Sequence, residues 1–184
     1  MKPARWILAL AALVFTTQGL RAAEWQSLFN GRDLSGWRAN VMPESFTVVN
    51  GAIRARATKE SAHLFYVGEL KDGFVRFKNF ELEMTVRGEP NANSGVFIHT
   101  DMSVSNAKNH LARGYEIQLN NTAKEPRKTG SLYDVVDLSQ SPVDGTNWFR
   151  VRIRVQDKRI AVFINDTQTV DYVETEPDQT PQRP

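Results

Sequence analysis

The sequence predicts an all-β sandwich. Apolar residues recur with period two in several segments, turn-forming pairs such as Asn50-Gly51 and Asn165-Asp166 punctuate them, and helical patterning is thin. Many short strands separated by turn residues fit a β-sandwich or jelly roll.

The first segment is set apart from that domain. Lys2 and Arg5 supply a positive end, Trp6 to Phe15 (WILALAALVF) is apolar throughout, and small residues lead to Ala22 and Ala23. This is the order of a secretory signal peptide, expected over residues 1–23, with cleavage after Ala22 or Ala23. The apolar run is shorter than the roughly 20 residues needed to span a bilayer. Removing Lys2, Arg5 and Arg21 takes the formal net charge from +2 to −1, so no basic footprint for nucleic acid survives. The chain contains no cysteine, which excludes disulfides, thiol chemistry and a lipid-modified cysteine. The expectation is therefore an exported protein, periplasmic or secreted, soluble and without a membrane anchor after processing.

The strands follow in order. Phe46 to Ile53 (FTVVNGAI) holds Asn50-Gly51, a tight-turn signal between apolar runs. Lys59 to Phe65 reads as irregular. In Phe80 to Arg87 (FELEMTVR), Phe80, Leu82, Met84 and Val86 alternate with Glu81, Glu83, Thr85 and Arg87. Gly95 to Thr100 is a strand, and a turn or two of helix is the reading for Asn106 to Leu111. Gly114 to Asn120 is again a strand. Phe149, Val151, Ile153 and Val155 alternate with Arg150, Arg152 and Arg154, a ladder that most simply covers a solvated face, with pairing to the acids of a neighbouring strand left open. Gln156 to Arg159 turns into Ile160 to Ile164, which Asn165-Asp166 closes. The core is expected to draw on Phe80, Leu82, Met84, Val96, Ile98, Val151, Ile153, Val162 and Ile164. From Glu174 to Pro184 the chain is polar and proline-rich, reading as a loosely packed tail or a truncated loop.

Alternation also sorts the polar groups. In Gly114 to Asn120, Tyr115, Ile117 and Leu119 point one way and Glu116, Gln118 and Asn120 the other. Such a row is either a solvated surface or the floor of a carbohydrate-type groove, with Glu116 and Gln118 about 7 Å apart along one face. Asn91 to Ile98 (NANSGVFI) has a turn reading that accounts for Asn91 and Gly95, the glycine taking positive φ. His99 follows it. Thr129 to Tyr133 (TGSLY) also reads as a turn, with Tyr133 packing through its ring. There is no G-x-S-x-G, phosphate loop, H-E-x-x-H or calcium loop. His63, His99 and His110 lie far apart in sequence, so a metal site could arise only through folding.

Four motifs in order carry a resemblance: LFNGRDLSGW (Leu28 to Trp37), NSGVFI (Asn93 to Ile98), GYEIQ (Gly114 to Gln118) and TGSLY (Thr129 to Tyr133), followed by a Trp148-led strand pair with its Asn165 turn. Together they resemble the 3-keto-disaccharide hydrolase domain family of bacterial secreted proteins, from Trp25 to about Tyr172. The resemblance implies a concanavalin-like jelly-roll β-sandwich over residues 24–173, whose concave sheet holds a sugar site. Relatives continue past the proline-rich loop into closing strands, whereas this sequence stops at Pro184: either it is a fragment of a longer chain, or the implied sandwich lacks its C-terminal closing strands.

The implied activity is hydrolase or lyase cleavage of 3-keto-disaccharides and related glycosides. The carbonyl at C3 acidifies the C2 proton, so a modest base can remove it and the C1 oxygen can leave by elimination, with water adding back. By position in the motifs, Glu116 is the general base, His99 and Tyr133 further catalytic groups, and Asn93 and Gln118 substrate-binding groups. His99 stands where relatives more often carry arginine. No cofactor is implied, and a divalent metal is left open as the electrophile at the C3 oxygen. A lectin-like carbohydrate-binding module is the alternative from a different class, since the same jelly roll supports both. A scaffold within an export system is a third reading.

Overall fold

The computed structural model describes residues 24–57, 61–73, 75–100 and 114–175, with the backbone also given for 104–106 and 111–112. The expected signal segment and most of the expected tail lie outside these residues. The described chain is an all-β sandwich of short antiparallel strands. In chain order these are β1 (Trp37–Ala39), β2 (Phe46–Val49), β3 (Ala52–Ala55), β4 (Leu64–Tyr66), β5 (Glu81–Val86), β6 (Asn93–Ile98), β7 (Val104–Asn106), β8 (Leu111–Ala112), β9 (Tyr115–Asn120), β10 (Phe149–Gln156), β11 (Arg159–Ile164) and β12 (Thr167–Val173), with one 3-10 turn at Pro43–Ser45.

The largest sheet runs β12-β11-β10-β5. Its hairpin turns sit where the sequence places them. Asn50 and Gly51 both take positive φ (51° and 74°) between β2 and β3, as a two-residue turn of matching twist requires, and Asn165 (52°) does so between β11 and β12. On the inner face, Val151, Ile153, Val162 and Ile164 are essentially inaccessible, with Phe80, Leu82 and Met84 packed against them. The outer face carries the arginine ladder. Arg152 and Arg154 reach Glu81 on β5 at 3.5 and 3.1 Å and lie over the Phe163 ring, while Arg150 pairs with Asp166.

Opposite this sheet lies the β6-β9 pair, registered Asn93↔Asn120, Gly95↔Gln118 and Phe97↔Glu116. Ser131 and Tyr133 extend it: Gln118 N donates to Ser131 O and Tyr133 N to Glu116 O, flanking an Ile117↔Leu132 bridge. The segment read from sequence as a turn is one at Thr129 and Gly130, where Gly130 takes a φ of 93° and Ser131 N donates to Lys128 O, and from Ser131 to Tyr133 it runs along the edge of β9. Val96, Ile98, Tyr115, Ile117, Leu119 and Leu132 face the large sheet and share one core with it. Every residue expected in that core is part of it.

Several elements differ from the sequence reading. Leu64 and Phe65, at the end of the stretch read as irregular, belong to β4 and pair with Ala39 and Arg38 of β1. Asn106 and Leu111 pair as strands rather than forming helix. Thr167–Val173 is a full strand closing the large sheet's edge; a register shift between Val162 and Phe163 breaks the alternation that would have advertised it. Finally, Glu174 is held in place, because the Tyr115 hydroxyl donates to its Oε1 at 2.8 Å and its N–H donates to Lys158 O. A loosely packed tail thus begins no earlier than the residue after it, and residues 176–184 lie outside the described part.

Candidate active site

The site is built on the β6-β9 face turned away from the sandwich core. Directly paired residues of an antiparallel ladder project to the same side. The register therefore gathers Asn93, Gly95 and Phe97 of β6 with Asn120, Gln118 and Glu116 of β9, and the edge segment adds Thr129, Ser131 and Tyr133. Of the two sequence readings, a solvated surface is excluded: Glu116 is 7 % exposed, Gln118 1 % and Asn120 2 %.

Several of these polar groups are committed to holding the chain. Asn120 donates through Nδ2 to the carbonyls of Glu125 (3.0 Å) and Arg127 (2.7 Å) and accepts from Thr122 N at Oδ1 (2.7 Å), which folds the loop after β9. The Thr129 hydroxyl accepts from Asn120 N, and Ser131 Oγ links Lys128 O to Leu138 N. These residues build the frame.

Glu116 and Gln118 sit within that frame. With its amide nitrogen turned inward, Gln118 donates to Ser94 O at 3.0 Å and to Glu116 Oε1 at 3.3 Å. The Glu116 carboxylate lies across the backbone of Gly95, where no side chain stands in its way. Gly95 was expected at a turn with positive φ. It lies instead inside β6 and is absent from the positive-φ positions, so the reason for a glycine here is space and not turn geometry.

Tyr133 flanks Glu116 across the strand edge. Its ring carries the Arg127 guanidinium at 4.5 Å, and its hydroxyl donates to Glu125 Oε2 at 3.3 Å. Arg127 is itself held by Asp134 and Asp137. Burial, and then the charge of Glu125, push the Tyr133 phenol above its ordinary range, so it stays protonated and acts as a donor. Asn93 stands at the exposed mouth of the same face.

His99 is not brought to this face. Its φ of 54° breaks the strand alternation after Ile98, and its ring packs edge-on against Tyr115, 5.7 Å between centroids. Tyr115 points into the sandwich, opposite to Glu116. His63 also borders this face: its ring packs edge-on against Phe97 at 5.2 Å, and Phe97 is the cross-strand partner of Glu116. Thirty-four residues separate His63 from Phe97, and only the fold brings them together. Among the described residues no three His, Asp or Glu side chains cluster in a way that would hold a metal ion.

Comparison with known proteins adds to this geometry. Residues 24–184 match the family described as the 3-keto-alpha-glucoside-1,2-lyase-like domain. A 3-keto-disaccharide hydrolase from Bacteroides thetaiotaomicron is 25% identical over 195 residues, covering 85% of this chain; the chain spans 65% of that relative's length. Two crystal structures from Parabacteroides distasonis, described as candidate glycosyl hydrolases, share the fold. One, at 19% identity, superposes with a TM-score of 0.57 over 82% of this chain and 72% of the other. The second, at 22% identity, gives 0.54 over 74% and 72%.

Proposed function

The chain belongs to the 3-keto-alpha-glucoside-1,2-lyase-like domain family, and from that premise we propose that it is an exported enzyme cleaving 3-keto-glycosides. The observation that carries this reading is a buried carboxylate, Glu116, hydrogen-bonded by the Gln118 amide and flanked across the strand edge by the protonated Tyr133 phenol.

The chemistry follows from the substrate class. Glu116 takes the proton from C2, which the C3 carbonyl has acidified. The C–H electron pair forms the C1–C2 double bond, the bond from C1 to the glycosidic oxygen breaks, and that oxygen leaves as an alcohol by taking up the proton that Glu116 removed, which regenerates the carboxylate. Stopping here is a lyase reaction; adding water across C1 and C2 gives net hydrolysis. Tyr133 turns its hydroxyl proton from Glu125 Oε2 to the substrate and donates a hydrogen bond to the oxygen on which charge develops. Gln118, too buried to reach the sugar as the sequence reading expected, holds the Glu116 carboxylate, and Asn93, exposed on the same face, contacts sugar hydroxyls. His99, packed against Tyr115, takes no part in this arrangement.

Incubating the purified protein with a 3-keto-disaccharide, with and without chelator, and following the released monosaccharide tests the reading. Release counts for it, and the chelator arm decides whether a divalent metal contributes. Absence of release in both arms counts against it.

A second reading, a lectin-like binding module, has its own observation. Trp148 is 58% exposed beneath Arg87, and Phe77 is 48% exposed and stacked on Tyr66, surfaces on which a sugar ring could lie. That module would bind sugar and tolerate Glu116→Gln without loss.

A further inference from the structure

We infer that Gly95 is a positioning residue for Glu116: its missing side chain is what allows the carboxylate to lie against β6 within reach of Gln118. The inference rests on the reading of Glu116 as the base, and it deepens that reading.

The argument is steric. A β-carbon built on Gly95 would stand 2.5 Å from Glu116 Cγ and 2.7 Å from Cδ, and closer still to Oε1. These are far inside van der Waals contact, and the three nearest atoms all belong to the Glu116 side chain. No backbone atom is among the nearest three, unlike at Gly114, where a β-carbon would strike the carbonyl oxygen of Ile98. Nor does the backbone of β6 require glycine, since Gly95 lies outside the left-handed region and sits in regular register opposite Gln118. A glycine inside a strand loses conformational entropy on folding and contributes no packing, so its presence needs a reason. The reason here is the side chain lying over it.

The geometry also says what a methyl group would do. Glu116 is buried, so its carboxylate cannot swing freely into solvent. It would have to leave the Gly95 surface and, with it, the 3.3 Å contact to the Gln118 amide. Displacing a reacting group by about 1 Å costs roughly a hundredfold in rate. Gly95 performs no chemistry and meets no substrate in this account; it acts through Glu116.

A double-mutant cycle with two readouts tests the inference. Gly95→Ala, Glu116→Ala and the double variant are compared by thermal unfolding, and Gly95→Ala is compared with wild type and Glu116→Gln for turnover of a 3-keto-disaccharide. The expected result is that Gly95→Ala lowers Tm by about 4 °C or more in the Glu116 background and leaves it unchanged once residue 116 is alanine. Turnover of Gly95→Ala should fall about a hundredfold. If the single variant does not fold but the double variant does, the clash with Glu116 is established equally. An equal Tm loss in both backgrounds, failure of both to fold, or no loss in either would overturn the inference, as would full turnover in Gly95→Ala where Glu116→Gln is impaired. Coupled stability together with unimpaired Glu116→Gln would instead leave the positioning intact and remove the base assignment.

Discussion

Asn120 offers a sharp test of how the site is framed. Replacing it with aspartate keeps the shape and reverses the chemistry at Nδ2, which now donates to the carbonyls of Glu125 and Arg127. Two hydrogen bonds are lost, at about 0.5–1.5 kcal/mol each, and a carboxylate oxygen is left facing two carbonyl oxygens in a buried position. Lys128 Nζ, which donates to the same Glu125 carbonyl, offsets part of that repulsion. The net cost should be about 2–4 kcal/mol at neutral pH. The sign with pH follows from linkage. A carboxyl destabilised in its charged form has a folded pKa above its unfolded value of about 3.9, so the folded state holds the proton longer. Stability of Asn120→Asp should therefore fall as pH rises above that value and recover towards pH 4. Asn120→Ala, which removes all three hydrogen bonds and adds no charge, should show no such pH dependence relative to wild type. Urea unfolding of the three proteins between pH 4 and 7.5 measures this. An Asn120→Asp variant as stable as wild type at pH 7, or one whose deficit does not change with pH, would refute the argument.

Two further outcomes follow from the structure and the sequence. The Ser35 and Asn30 side chains hold the Asp33 carboxyl down at about 2, so an NMR titration should place its midpoint there, and Ser35→Ala should move it up towards the ordinary 3.8. Because that folded pKa is depressed, the associated stability is present above about pH 4 and is lost as pH falls towards 2. In addition, the protein recovered after export should begin at Ala23 or Glu24 by mass spectrometry; an intact Met1 would contradict the leader reading.

The parts of the fold legible in sequence are those with long, regular alternation. β5 and β10 announce their inner faces residue by residue, β11 announces itself by a continuous apolar run, and Asn50-Gly51 and Asn165 announce their turns. The three-residue strands β1 and β4 are too short to show a period, and β12 is disguised by the register shift opposite Val162 and Phe163. At the site, alternation correctly sorts Glu116 and Gln118 onto one face and cannot tell a wetted face from a buried one. That difference comes from tertiary packing, as the burial of all three polar residues of β9 makes plain. The same limit explains Gly95, where a local turn reading competes with a long-range steric demand from a side chain twenty-one residues away. His99 shows the reverse: its place after the NSGVFI strand suggested the site, and one left-handed residue turns it to Tyr115.

The role of Glu116 is the centre of the account, and the turnover of Glu116→Gln on a 3-keto-disaccharide tests it most directly. The substitution keeps the volume of the side chain and removes its ability to accept the C2 proton. With the fold verified by unchanged circular dichroism, the account predicts a loss of about two to four orders of magnitude in turnover. Near-normal turnover would contradict it and place the base elsewhere, with His63 beside Phe97 the first group to examine.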